Sequence, residues 1–484
     1  MSLTDEQKRT LLYSISFFIA IAAIGFIVRV LLPRNTAPWS TTFVSPIQKR
    51  ISAGERVLAR EEAINSENQR FGRAKERGVE AIAKRDYDSA VNELEAALNE
   101  YKNAPETLIY LNNARIGDNR SYTIAVSIPL YEDEVSKATL DASKKYEPNA
   151  SAILRGVAQA QQEVNAAGGI DGVLLKVVIV DDDNDKEVAK KAVEELAKNQ
   201  EVLGVIGHFS SGTTLAAKEV YDRIELTAIS GASTSVDLSD RDYVFRTVPS
   251  DAFTAEKLAD YMLNTLGQQK VVIFYDSKSN YSKSLKSTFV REVEKSQGKI
   301  IAEFDFDNPD FNANDDVNYA IEEGAEVIML AAHGGNLPQV YKVVQANNRK
   351  LNLLGGDELN NIKILNNSKE LATNMVVSVA WVEDVRSEEF VSQAKQLWGD
   401  VKLNWHTAMT YDAAQAFITA IRLNPSRDGV YQELLNNDFS ASGASSRVRF
   451  TFNGDRASSV YLIKVEPSNP SLSGTGYDFV PVPE

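Results

Sequence analysis

The sequence contains no cysteine in 484 residues. That excludes a disulfide framework, a thiolate zinc site, a cysteine nucleophile and any S-acylated or lipoprotein anchor. Histidine is nearly as scarce. His208, His333 and His406 are the whole supply, which leaves little material for a transition-metal site, and neither a metal nor a cofactor is expected. Positive charge is short as well: 52 lysines and arginines stand against 67 acids, a net charge of −15. Phosphate-backbone binding needs a basic face, so no nucleic-acid partner is expected. What is present is an ordinary globular balance of 43% hydrophobic and 25% charged residues, over a length that calls for two or three domains.

The N-terminus departs from that balance. "LLYSISFFIAIAAIGFIV" (11–28) is uncharged and flanked by Lys8, Arg9 and Arg29. As a helix it would span about 27 Å, and the following "VLL" extends it to about 30 Å, the thickness of a hydrocarbon core. No convincing small-x-small cleavage site follows. The spacing predicts a short tail over 1–9, a transmembrane helix over 10–32, and a Pro/Ser/Thr-rich linker over 33–53. The large body that follows is expected outside the cytoplasm, although the basic residues on both flanks do not fix orientation.

Residues 54–118 are helical in pattern. Ala81, Ala83, Tyr87, Ala90, Leu94 and Ala97 recur at three- and four-residue spacings. Gly78, Ala90, Leu94 and Ala97 resemble one tetratricopeptide repeat, though Pro105 is late and the aromatic pair of the first helix is missing. One repeat cannot bury its face alone. The segment reads as a helical hairpin that forms a stalk or packs on its neighbour, or else as a peptide-docking repeat.

From Ser121 the texture changes. Strand-length apolar runs occur at 122–130, 174–182, 202–209, 226–232, 270–276, 298–306, 326–332, 351–357 and 375–382, separated by amphipathic helical stretches. Strands this apolar are buried on both faces, and helix-length connections imply parallel pairing. The class is α/β: two doubly wound, Rossmann-like lobes, lobe 1 from about 121–248 and 373–445, lobe 2 from about 249–372 and 446–466. The chain near "FRTVPS" (245–250) reads as a crossover, and 446–466 as an antiparallel hairpin around "NGDR".

Ligands of open α/β sheets sit at the carboxyl ends of strands. Four stretches occupy that level: "GHFSSGTT", "SGASTS", "DSKSNYSKS" and "GGDELNN". A helix N-terminus with small hydroxyl residues accepts an anion, and an acid such as Asp357 would suit an ammonium group opposite. With "ILRGVAQAQQEVNAAGGIDG", "VVIVDDDND", "VFRTVPSD" and "WHTAMTYDAAQAF" in series, region 121–466 resembles the type I periplasmic solute-binding proteins, in particular those for leucine, isoleucine and valine that serve ABC importers. The resemblance implies a hinged two-lobed clamp over 119–484. It places the ligand carboxylate at Ser211 and at Ala232, Ser233 and Thr234, a closing tyrosine at Tyr281, and the acid that pairs the ammonium at Asp357. Asn336 and Leu337 stand where relatives commonly place an aromatic. The loop 131–150 is longer than usual, and Tyr146 is the one aromatic there offered for the cleft wall.

Enzymatic readings fail on local grammar. "GHFSSG" and "GASTS" are not G-x-S-x-G, and no G-x-G-x-x-G follows the first strand. "DDDND" (181–185) imitates a calcium loop, but Lys186 stands where glycine is needed. His208, directly behind a buried strand, reads as a satisfied structural imidazole. The expectation is a membrane-anchored, non-enzymatic receptor for an amino acid or related zwitterion, with an ABC permease as partner. The alternative is a ligand-sensing or scaffold ectodomain of an envelope complex without transport.

Overall fold

The computed structural model describes residues 45–59, 69–131, 148–240 and 243–483. The Ser45 amide donates to Gln48 Oε1 at 3.0 Å and closes a turn; from Lys49 onward the chain forms one unit. Two sheets organise it. The first takes β1 (Ile51–Ser52), β2 (Ser121–Ile128), β3 (Leu174–Asp181), β4 (Val202–Gly207), β5 (Ala228–Ser230) and β6 (Val244–Arg246), in the spatial order β1-β3-β2-β4-β5-β6. β2 to β6 pair parallel, with Ile124 opposite Val177 and Val205 opposite Ala228. β4 is buried at every position and β2 at its last six, as unbroken apolar runs require when both faces are covered. The edge strand β1 runs antiparallel to β3.

The helical segment before β2 is not a stalk. α1 (Gln69–Ala83) and α2 (Tyr87–Glu100) form a hairpin in which Ala90, Leu94 and Ala97 are fully buried. Gly78 lets the pair close, since a Cβ there would fall 2.6 Å from Leu94 Cγ. α3 (Pro105–Ile116) then packs on α4 (Pro148–Ala166) of the first lobe and is buried at eleven of its twelve residues. Asn113 stitches it to the sheet: its amide group donates to Ala53 O (2.8 Å) and Val177 O (2.7 Å), and its Oδ1 accepts from Val177 N (3.1 Å). A buried ion pair locks the layer. Lys75 Nζ lies 2.6 Å from Glu106 Oε2, and Glu106 Oε1 accepts from the Leu58 and Ala59 amides at 2.8 Å each. α3, enclosed in this way, anchors the α1–α2 hairpin to the first lobe, so the tetratricopeptide-like pattern forms part of a docked layer and not a projecting repeat. The expected transmembrane helix, 10–32, lies outside the described residues, as does Tyr146. Among the described residues no helix is long and apolar enough to cross a membrane.

The first lobe continues with α5 (Lys186–Ala197) and α6 (Ser211–Ile224). The second lobe holds α7 (Asp251–Asp260), β7 (Lys270–Tyr275), α8 (Asn280–Lys295), β8 (Lys299–Asp305), α9 (Ala313–Glu322), β9 (Val327–Ala331), α10 (Leu337–Asn347), β10 (Asn352–Gly355), α11 (Ile362–Ser368) and β11 (Val376–Val379). The chain then returns. α12 (Glu388–Trp398), α13 (Trp405–Leu423) and α14 (Arg427–Leu435) close the first lobe, with α13 packed along α4. Last come β12 (Tyr461–Pro467) and β13 (Tyr477–Pro481), which extend the second sheet to β13-β12-β11-β10-β9-β7-β8. β12 and β13 run antiparallel, so both sheets are mixed.

Two expected boundaries move. β11 pairs with β10 in the second sheet, so the return to lobe 1 falls after Val379 and not at 373. The "NGDR" turn closes only one bridge, Phe450 to Arg456, and Gly454 O accepts from Arg246 N at 3.0 Å. That turn belongs beside β6, and the second sheet gains 461–481 instead of 446–466. An apolar run does not announce which sheet it will join.

Candidate functional site

The loop after β4 supplies one wall. Ser210 caps α6 by accepting from Thr213 N at 3.2 Å. Ser211 opens the helix, and its Oγ accepts from Ser235 N at 3.2 Å, tying this loop to the one after β5. In that second loop Ser230 Oγ accepts from Ala232 N (3.2 Å) and Ser233 N (2.9 Å). Ser233 Oγ bonds Thr214 Oγ1 at 2.5 Å. Thr234 Oγ1 is buried and makes no hydrogen bond. The wall therefore joins the exposed dipoles of a helix start to hydroxyls held on short loops.

Both loops are pinned from beneath by a buried network. His208 Nδ1 lies 2.6 Å from Asp182 Oδ2, His208 Nε2 is 3.1 Å from Tyr221 Oη, and Ser127 Oγ donates to Asp182 at 3.1 Å. His208 O accepts from Ser230 Oγ at 2.9 Å. A serine, a histidine and an aspartate do meet here, but Ser127 Oγ lies 3.3 Å from the same Nδ1 that faces the aspartate, donates to that aspartate as well, and leaves the far nitrogen of the imidazole to a tyrosine. All four residues are enclosed. The geometry is that of a structural imidazole, not of an activated nucleophile. His406 stacks on Trp405 and Phe209, and burial lowers its ring to about 3, holding it neutral.

The opposite wall comes from the second lobe. Tyr281, in the first turn of α8, donates to Asp357 Oδ1 at 2.7 Å, and the Glu358 amide also reaches that oxygen at 3.1 Å. Gly356 makes the approach possible: a Cβ there would lie 2.1 Å from the Tyr281 hydroxyl. Burial pushes the Asp357 carboxyl up to about 6, with the Tyr281 bond opposing the rise. The Tyr281 hydroxyl is driven well above its usual range by burial and by the Asp357 charge beside it. Asn336 does not face this wall. Its amide donates to Asp276 Oδ2 at 2.9 Å, beside His333 Nε2 at 3.1 Å, and clasps the ends of β7 and β9.

The two walls meet. Val236 N donates to Ser284 Oγ of α8 at 2.9 Å, Asp251 N donates to Thr234 O at 2.8 Å, and α6 touches α8. Asp251, absent from the sequence-derived set, is buried next to this junction: its charge acts on Tyr281, and the Asp357 charge acts on it. Its motif, "VFRTVPSD", was visible, but an acid in the first turn of a helix reads as an ordinary dipole partner. Among the described residues no cluster of histidine and acids could hold a metal ion.

The periplasmic binding protein family model matches residues 139–469. An amino acid binding protein of Pseudomonas aeruginosa is 30% identical over 40% of this chain and 50% of its own length. A leucine-specific-binding protein of Salmonella typhimurium is 25% identical over 60% of this chain and 78% of its own. The chain thus spans half the length of the first relative. Among solved structures, an ABC transporter substrate-binding protein of Desulfitobacterium hafniense in complex with Leu superimposes with a TM-score of 0.61, 24% identity, 75% of this chain and all of that one. A solute binding protein of an ABC transporter from R. palustris, in complex with benzoate, gives a TM-score of 0.60 at 15% identity, over 75% of this chain and 96% of that one. With the two-lobed α/β fold and the matched span, the chain belongs to the periplasmic binding protein family.

Proposed function

We propose that this protein is an extracytoplasmic receptor that captures an amino acid or a closely related zwitterion and presents it to an ABC importer. The ligand's carboxylate lies on Ser211, Ala232, Ser233 and Thr234, where helix dipole and hydroxyls favour negative charge. Its ammonium meets Asp357, steadied by Tyr281. The uncharged run 11–28 supports a membrane tether for the receptor. The observation that carries this reading is the buried Tyr281–Asp357 pair, held on the second lobe at 2.7 Å, with Tyr281 on the helix whose Ser284 bonds Val236 of the first lobe. An acid raised to about 6 by burial carries a charge that its surroundings disfavour, and a cation beside it offsets that cost. Closure of the lobes is favoured only by contacts the ligand makes with both of them.

The test uses the full chain in detergent, titrated calorimetrically with the twenty common L-amino acids. At least one binds, and Ser211→Ala and Asp357→Ala each weaken it by about tenfold or more, the loss of a charge-assisted hydrogen bond. No binding by any of them, or unchanged affinity in both variants, overturns the proposal. Co-purification decides the partner. An ATPase–permease pair supports uptake, and a kinase or envelope assembly supports sensing in its place.

A further inference from the structure

His333 follows β9 by two residues and stands where a helical turn ordinarily starts on serine, threonine, asparagine or aspartate. Its ring takes their part. The Gly335 amide donates to His333 Nδ1 at 3.1 Å, and in return the His333 amide donates to Asn336 Oδ1 at 3.3 Å. The ring lies directly over the peptide, since a Cβ on Gly335 would fall 2.7 Å from its Cε1. An imidazole nitrogen that accepts an N–H carries no proton of its own. The single ring proton is therefore on Nε2, which faces Asp276 Oδ2 at 3.1 Å. Unlike a serine or asparagine cap, this one works only while the imidazole is neutral.

The His333 side chain is 36% exposed, so water can deliver a proton to it. A proton added to Nδ1 turns that nitrogen from acceptor into donor and sets it against the Gly335 N–H. Histidine is the side chain that makes this change between about pH 5 and 8. The charges around the ring come from three further elements. Asp276, after β7, touches it; partial burial would raise that carboxyl, but bonds from Asn336, the Lys278 amide and His333 outweigh burial and hold it below the usual range. Glu358, in the turn after β10, has Oε2 3.7 Å from where a Gly334 Cβ would lie. Lys278 is turned away to Asp307 at 2.7 Å, and Asp305, at the end of β8, is taken up by the Ser277 and Asp307 amides. Asp276 thus keeps a protonated ring in place through Nε2, and the Gly334–Asn336 turn is what must yield.

That turn is tied to the ligand wall. Asn336 also donates to Asp276 Oδ2 at 2.9 Å, the Asp276 amide donates to Ser282 Oγ at 2.7 Å, and Ser282 Oγ donates to Ala331 O. Ser282 is the neighbour of Tyr281, and Glu358 is the neighbour of Asp357. We propose that His333 is a pH-sensitive cap: its neutral ring orders the Gly334–Asn336 turn, and protonation releases that turn at the rim of the wall that carries Tyr281 and Asp357. The second lobe's rim is then firmest near neutral pH and slackens in acid. The response of the turn does not depend on what the cleft binds, so it stands or falls apart from the zwitterion reading.

The experiment uses the full-length protein in detergent, its histidine rings labelled with nitrogen-15 and followed by NMR from pH 5 to 8.5. The parent is compared with His333→Asn, whose side-chain oxygen can accept from Gly335 without titrating. The signal missing from the variant identifies His333 among the three histidines. Hydrogen exchange of residues 333–337, read by mass spectrometry, is measured on both proteins at each pH, so the intrinsic pH dependence of exchange cancels in the ratio. At pH 8.5 the ring is expected to carry its proton on Nε2, with equal protection in the two proteins. As His333 titrates, protection in the parent falls about three- to tenfold relative to the variant, the loss of one cap. A proton on Nδ1 at pH 8.5 would overturn the proposal, and needs no variant to be seen. So would a ring that stays neutral down to pH 5, or a protection ratio that is flat across the titration.

Discussion

Asp357→Asn turns the acid of the second lobe into a neutral isostere that can still accept from Tyr281. In the protein without ligand the carboxyl titrates near 6, against 3.8 for an unburied aspartate. The folded state therefore holds its proton to about pH 6 and the unfolded chain only to about pH 4. Stability is highest below that window and falls as pH rises through it. At pH 7.5 the two-unit difference amounts to about 3 kcal/mol, and at pH 5 to about half of that. Asparagine carries no such penalty, and it also frees Asp251 of a like charge. In a body of this size each kcal/mol moves Tm by about 2 °C, so the variant should melt about 6 °C higher at pH 7.5 and about 3 °C higher at pH 5. The assay is differential scanning fluorimetry of the full-length pair at pH 5, 6 and 7.5. Comparing variant with parent at each pH cancels other titrating groups such as His406, whose lowered ring acts in the opposite sense. A gain that does not depend on pH, or a lower Tm at pH 7.5, would refute the idea that this acid is kept at a thermodynamic disadvantage for a cation.

Gly356→Ala places a methyl group 2.1 Å from the Tyr281 hydroxyl and displaces it from Asp357. The strain costs about 1–3 kcal/mol, read as a lower urea midpoint, together with at least about tenfold weaker calorimetric binding of any L-amino acid the parent takes. Lys75→Met strands the enclosed Glu106 carboxylate, which keeps its amide donors but loses its cation. Removing one partner of a buried pair costs about 3–5 kcal/mol, measured by urea unfolding, with ligand affinity unaltered because the pair's bonds run to Leu58, Ala59 and Tyr110 and to no residue of the hydroxyl wall.

Much of this architecture can be read from the chain. Runs such as "VLGVIGHF" and "EVIMLAA" become strands buried at nearly every position, because only a covered parallel sheet tolerates such uniformity. Ser211, Thr234, Tyr281 and Asp357 fall on facing walls because each follows a strand's carboxyl end, where the topology leaves a crevice. Other features depend on long-range contacts that no local pattern encodes. Asn113 answers the backbone of Val177, 64 positions away, and a lone asparagine in a helix gives no hint of that. β6 is three residues long, too short for alternation to show. β11 looks the same whichever sheet it joins, so its sequence does not mark the lobe boundary.

Neither lobe is a continuous stretch of chain. The first sheet is complete once Arg246 has been made, but α13, which lies along α4 and against β4 and β5, begins only at Trp405. During synthesis the early strands must therefore wait for about 160 further residues before their outer face is covered. The intervening segment has meanwhile to begin a lobe whose sheet is completed only by β12 and the edge strand β13, the last made. Contacts so distant in sequence slow folding and prolong exposure of sticky surface. A nascent chain of this design keeps one face of its first sheet uncovered until the helix that begins at Trp405 has emerged.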